Sequence, residues 1–353
     1  MTSGTGPLGA WRLGAAVAAT VAIIAVLSIS TANGTARQSE NVASPEALAE
    51  AVRAVVGLRA EIPADARTAA SLGTERSGNG VLIDSKGLVL TIGYLILEAT
   101  AVEVFEPGGR VVAASIIGYD HDTGLGLVRA LEPLAAKPLR LGAASELTQG
   151  DAVLAASFGG PRPLSPAYVA SRRAFAGYWE YLLEDAIFTV PPHPMFGGAA
   201  LIGADGRLVG IGSLAVGDAA APGLHSPGNM FVPIDGLKPI LGDLLAHGQP
   251  STSHPWLGAF TAETKGRVFI TRVAADGPAE EAGLKTGDII MGIGGKRVKD
   301  MADYFRKMWA QGAAGVEIPV NIMRAGDTKM SIETVVVRSR NRYDWLKLRT
   351  RGY

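Results

Sequence analysis

Gly78-Asn79-Gly80-Val81-Leu82-Ile83-Asp84-Ser85-Lys86-Gly87-Leu88-Val89-Leu90-Thr91-Ile92 consists of two short apolar runs joined by an Asp-Ser-Lys-Gly turn. Short apolar runs bounded by turn residues read as strands, and a four-residue turn with glycine joins them as a hairpin. The pattern repeats on both sides. Residues 102–117 place the turn Glu106-Pro107-Gly108-Gly109 between apolar runs, and residues 198–214 place Gly203-Ala204-Asp205-Gly206 likewise. Such regular spacing predicts a mainly β fold, a barrel or a sandwich. The 45 glycines fit a chain with many tight turns.

At 353 residues the chain exceeds one ordinary domain. Apolar residues make up 48% and charged residues 19%, which suits a full core. Lys+Arg and Asp+Glu are both 33, so the chain lacks the basic excess of a nucleic-acid binder. There is no cysteine, which excludes disulfides, thiolate nucleophiles and Cys-type zinc sites.

Leu13 to Ser30 is uncharged and mostly apolar, with Arg12 just before it. About 18 to 20 such residues cross a bilayer as a helix. We read residues 13–30 as an uncleaved anchor, with residues 1–12 in the cytoplasm and the remainder exported. The small residues that follow also fit a cleaved signal peptide, which would release the chain to the periplasm. Residues 31–44 read as a linker, and Ser44-Pro45-Glu46 opens a helix with a cap-like Ser and Pro in the first turn. The strand-rich region completes a first domain over residues 45–246. His247–His254 is polar with Gly and Pro and reads as a second linker. Residues 255–340 mix strands with two helical segments, and 341–353 form a basic, aromatic tail, either a disordered end or a docking segment.

Several blocks resemble the HtrA family of trypsin-fold serine proteases. Gly78-Asn79-Gly80-Val81-Leu82-Ile83-Asp84 with Gly87 matches its first hairpin. Gly118-Tyr119-Asp120 through Leu127-Val128 matches the next block, and Gly197-Gly198 followed by Leu208-Val209-Gly210-Ile211 matches the nucleophile block. Phe231-Val232-Pro233-Ile234 is similar to the strand that closes the barrel. The resemblance spans about residues 55–340. It implies a trypsin-like double β-barrel followed by a smaller α+β PDZ domain, behind the N-terminal transmembrane helix. The family's catalytic base, its orienting Asp and its nucleophilic Ser fall on Tyr94, Gly124 and Phe196. A phenol with pKa near 10 is a poor base at neutral pH. Gly124 has no side chain, and Phe196 has no nucleophilic atom. Losing one member of such a triad costs on the order of 10⁶ in turnover. The family's second oxyanion donor falls on Pro194, which has no N–H, and one such donor contributes about 10²–10³ in rate. Phe196 is expected to fill the former substrate cleft.

Trp256-Leu257-Gly258-Ala259-Phe260 resembles the family's carboxylate-binding loop, and Pro278 to Ile290 resembles the helix and strand that follow it. The resemblance implies β-augmentation, in which a peptide adds to the strand after the loop and the loop amides hold its terminal carboxylate. Phe260, Tyr304 and Met308 are the candidate pocket walls; Tyr304 and Met308 also fit a core. Among the histidines, His121 lies in what reads as a solvated turn rather than a metal site, and none follows the strand that should deliver a base. No cofactor, metal or nucleic-acid partner is expected. The expected function is that of an inactive protease homologue that binds through its PDZ groove. Its partners would be C-termini or exposed strands of envelope proteins, an active HtrA-type protease among them, and the resemblance admits a homotrimer. The rival expectations are an active endopeptidase with a different catalytic arrangement, and a holdase chaperone.

Overall fold

The computed structural model describes residues 43–324 and 331–346. The anchor read at residues 13–30 and most of the tail lie outside the described residues. Among the described residues no helix is long and apolar enough to cross a membrane.

Ser44 caps α1 (Pro45–Arg53) by accepting from the Ala47 amide, as expected for Ser before Pro. The first barrel then closes in the order β1-β2-β3-β6-β5-β4, from β1 (Val55–Glu61), β2 (Glu75–Leu82), β3 (Leu88–Ile92), β4 (Ala101–Phe105), β5 (Val111–Tyr119) and β6 (Leu125–Ala130). A single helical turn, α2 (Ala69–Leu72), interrupts it. The β2–β3 hairpin follows from its turn chemistry. Asp84 Oδ1 accepts from the Lys86 and Leu88 amides, each at 2.8 Å. The second barrel closes as β10-β11-β12-β9-β8-β7, from β7 (Ala152–Ala156), β8 (Leu164–Gly177), β9 (Tyr181–Val190), β10 (Ala200–Ile202), β11 (Leu208–Val216) and β12 (Gly228–Pro233). Closure leaves neither barrel an open strand edge. The hairpin pattern predicted a barrel or a sandwich, and the double barrel that the resemblance implied is present.

The barrels meet at Asn79 in β2. Its side chain is 1% exposed. Nδ2 donates to the carbonyls of Met195 and Gly197, each at 2.8 Å, and Oδ1 accepts from the Phe158 amide at 2.7 Å. The Asn79 amide donates to the Gly197 carbonyl at 2.9 Å. One residue of the first barrel therefore holds two loops of the second. The contact leaves no room for a side chain at Gly198, where a Cβ would sit 1.9 Å from the Asn79 carbonyl oxygen.

After α3 (Leu237–His247), a third unit forms the sheet β13-β14-β15-β17-β18, with β16 (Lys296–Arg297) on β15. Its strands are β13 (Ala259–Thr264), β14 (Arg267–Val273), β15 (Ile289–Ile293), β17 (Glu317–Met323) and β18 (Ile332–Arg338). The helices α4 (Pro278–Glu281) and α5 (Met301–Trp309) complete it. His247 ends α3 rather than opening the linker. The described part of the tail docks. Trp256 and Arg340 exchange two backbone hydrogen bonds of 3.0 Å, and the Tyr343 hydroxyl of α6 (Arg342–Trp345) donates to the Tyr119 carbonyl at 2.8 Å.

Replacing Asn79 with Ala strands the Phe158 amide and the Met195 carbonyl between the barrels, while the Gly197 carbonyl keeps the backbone amide of residue 79. The expected loss is about 3 kcal/mol in urea unfolding at neutral pH.

Candidate functional site

The turn after β3 carries Tyr94, and the Gly93 amide donates to the Gly124 carbonyl at 2.7 Å. Two of the three aligned positions thus lie side by side. The third joins them across the barrels, because a Cβ at Gly197 would sit 2.8 Å from the Tyr94 hydroxyl. The Tyr94 hydroxyl donates to the Ser213 carbonyl at 3.0 Å. Ser213 sits where the β11–β12 register slips between Gly212 and Leu214, so the phenol meets an irregular point in the ladder. Burial pushes the Tyr94 phenol above its ordinary pKa, and the group stays a donor.

Gly124 has φ +78°, a conformation that favours glycine. The space beside it is filled. An ideal Cβ there meets the Tyr181 ring and hydroxyl at 3.5 Å and Ile92 at 3.6 Å, so a longer side chain runs into Tyr181. Tyr181 is 3% exposed and donates its hydroxyl to the Thr123 carbonyl at 2.8 Å. Phe196 is half-buried, and Pro194 and Met195 beside it are exposed.

One histidine, His121, stands differently from the sequence expectation. His121 does not sit in a solvated turn. Its Nε2 is buried, and its ring lies 5.0 Å from that of Tyr119 and 4.5 Å from that of Tyr343. Tyr343 arrives from 222 residues away, which no local pattern reveals. His193 is 1% exposed, and its Nδ1 lies 3.1 Å from Ser165 Oγ. Its Nε2 has no hydrogen-bond partner among the described residues. Burial lowers the His193 pKa to about 4.

Of the segment Trp256-Leu257-Gly258-Ala259-Phe260, the first three residues precede β13, and Ala259 and Phe260 open it. Tyr304 and Met308 of α5 are fully buried and share a cluster with Leu257 and Ala259. Phe260 is half-buried, with the Arg272 guanidinium 3.7 Å over its ring. The residue that sequence reasoning missed is Glu180, at the tip of the β8–β9 hairpin of the second barrel. Its Oε2 accepts from the Leu257 amide at 3.0 Å and its Oε1 from the Ala259 amide at 2.7 Å. Burial pushes its pKa up to about 7, against the pull of these amides and of Arg342. The one local signal was weak: an acidic residue in a Tyr178-Trp179-Glu180-Tyr181 tip reads as exposed.

Residues 78–211 match the trypsin-like peptidase domain family, and residues 255–335 match the PDZ domain family. The chain joins a trypsin-like peptidase domain to a PDZ domain and is similar to the HtrA proteases. This HtrA-like chain is 25% identical over 280 residues to the serine protease Do-like HtrA of Bacillus subtilis, covering 71% of itself and 61% of that relative. It is 27% identical over 280 residues to the probable periplasmic serine protease do/HhoA-like of Haemophilus influenzae, covering 72% of itself and 58% of that relative. The matched region thus spans about 60% of the length of these two relatives. The fold is similar to that of the HtrA-type protease AlgW with decapeptide, with TM-score 0.53 and 20% identity over 84% of this chain and 98% of that one. It is also similar to the serine endoprotease from Yersinia pestis, with TM-score 0.51 and 22% identity over 84% of this chain and 97% of that one.

Removing the phenol with Tyr94→Phe leaves the Ser213 carbonyl without its partner. The expected cost is about 1 kcal/mol in chemical unfolding at pH 7. His193 carries a pH signature. The unfolded chain takes its proton near pH 6.5, whereas the folded chain holds off until about 4. The stability His193 gives above pH 6.5 is therefore lost as pH falls from 6.5 to 4. Over that window His193→Gln is expected to lose less stability than the parent, by up to about 3 kcal/mol, in unfolding curves measured at each pH.

Proposed function

We propose that this HtrA-like chain is catalytically silent and works by binding. The observation that carries the reading is the aligned triad. The side chain at the base position is a phenol donating to the Ser213 carbonyl, the space beside Gly124 is filled by Tyr181, and the nucleophile position is Phe196. A general base must accept a proton near neutral pH, and a buried phenol with a raised pKa does not. Pro194 lacks the N–H that would serve as the second oxyanion donor. In this reading the apolar segment at residues 13–30 anchors the chain in the cytoplasmic membrane with its folded domains in the periplasm. The PDZ groove then takes C-termini or exposed strands of envelope proteins, an active HtrA-type protease among the candidates.

The second reading is an active endopeptidase. It is favoured by the names of the relatives, which are serine proteases, and by Ser165 Oγ lying 3.1 Å from His193 Nδ1. Against it, His193 is 1% exposed, and no carboxylate orients its Nε2 among the described residues.

Incubation with a fluorophosphonate probe and with unfolded casein separates the two. The expected result is no labelled serine and no cleavage. Labelling that disappears with Ser165→Ala, or with any other single serine replacement, ends the binding-only reading.

A further inference from the structure

Three separate contacts bring the second barrel's β8–β9 hairpin into the PDZ groove. The first is at the carboxylate-binding loop. Glu180 is 7% exposed, and its two oxygens each accept a loop amide, from Leu257 and from Ala259. These amides belong to the loop read from the sequence as the holder of a peptide's terminal carboxylate. The second contact is along β13. The Thr261 amide donates to the Tyr178 carbonyl at 3.0 Å, two residues before Glu180. The chain from Tyr178 to Glu180 therefore runs antiparallel to β13 and ends with a carboxyl group in the loop, which is how a peptide adds to this strand. The third is the side-chain pocket. Leu182, 5% exposed, lies in the same apolar cluster as Leu257, Ala259, Tyr304, Phe305 and Met308.

The hairpin is also clamped from the far wall of the groove. Arg306 of α5 grips Glu184 through two nitrogens, at 2.8 and 2.6 Å. The hairpin tip itself is set in an uncommon conformation. Glu180 has φ +56° in a three-residue turn, where glycine or asparagine is the unstrained choice. A glutamate kept there, and buried, serves its carboxyl contact rather than the turn.

We propose that the hairpin tip Tyr178–Glu180 is an internal ligand of the PDZ groove, with the Glu180 carboxyl group in the seat of a partner's C-terminal carboxylate. A partner must displace it to bind. The inference rests on the reading of the groove as a receptor for C-termini. It adds that the groove is closed in cis, so the measured affinity for a partner is the intrinsic one reduced by the fraction of molecules in which the hairpin is undocked. The partner it selects ends in a free carboxylate and carries a leucine-sized apolar side chain to take the place of Leu182.

The test uses the full-length chain in detergent and a fluorescein-labelled decapeptide ending Tyr-Trp-Leu with a free carboxylate. The same peptide with an amidated C-terminus is the control. Three variants accompany the parent. Glu180→Gly removes the carboxyl group and relaxes the turn. Glu180→Gln keeps the shape without the charge. Arg306→Ala releases the exposed clamp and leaves the loop untouched, which keeps the test valid should a Glu180 variant fold poorly. Anisotropy is expected to give the free-carboxylate peptide at least about tenfold tighter binding to Glu180→Gly than to the parent, with the other two variants between them. The amidated peptide binds none of them. Hydrogen exchange over residues 256–261 is expected to quicken in Glu180→Gly and to slow again when the peptide is added. Unchanged exchange in all three variants overturns the internal ligand, whatever the peptide does. Equal and tight peptide binding to parent and variants also overturns it, and leaves the groove a receptor for C-termini. Quickened exchange with no peptide binding to any of the proteins overturns displacement by a C-terminus and, with it, the binding reading of the groove.

Discussion

The Asn79 carboxamide is the contact on which the two-barrel arrangement rests. Two closed barrels have satisfied their own ladders and offer each other few backbone groups. Asn79 supplies both a donor and an acceptor in one rigid, buried group, and it spends them on carbonyls at 195 and 197 and on the amide at 158. This explains why the Gly197-Gly198 turn persists beside Phe196. The turn is shaped by what it must fit against, since a side chain at Gly198 would drive into the Asn79 carbonyl. A sequence motif known for chemistry is thus held here by interdomain packing.

The aligned triad positions obey the same logic. Tyr94 reaches across from the first barrel to a carbonyl on β11 of the second, and Tyr181 reaches back from the second to the 123–124 turn of the first. The two phenols cross the cleft in opposite directions. Both are pushed above their ordinary pKa by burial, so both remain donors over the whole physiological range. The proposed loss of catalysis has therefore been accompanied by two cross-cleft hydrogen bonds, and the cleft walls are joined rather than merely emptied.

The strands and their order of appearance were legible because their signals are local. Asp84 folds back on its own turn, and Ser44 caps the helix it precedes. The PDZ loop was legible for the same reason. What the sequence concealed depends on chain segments that meet only in the fold. His121 sits in a turn that reads as solvated, and Tyr343 covers it from the tail. Tyr304 and Met308 could be core or pocket by spacing alone; in the fold they are buried in the cluster that takes Leu182. Glu180 was concealed most completely, because its neighbours in sequence are surface-like and its partners lie 77 and 79 residues away.

Glu180 and Tyr181 are adjacent, and their side chains serve two different units of the fold. One closes the carboxylate loop, and the other lies against the turn that holds Gly124. The carboxylate loop and the turn that holds Gly124 are thus tied to one hairpin at points a single peptide unit apart.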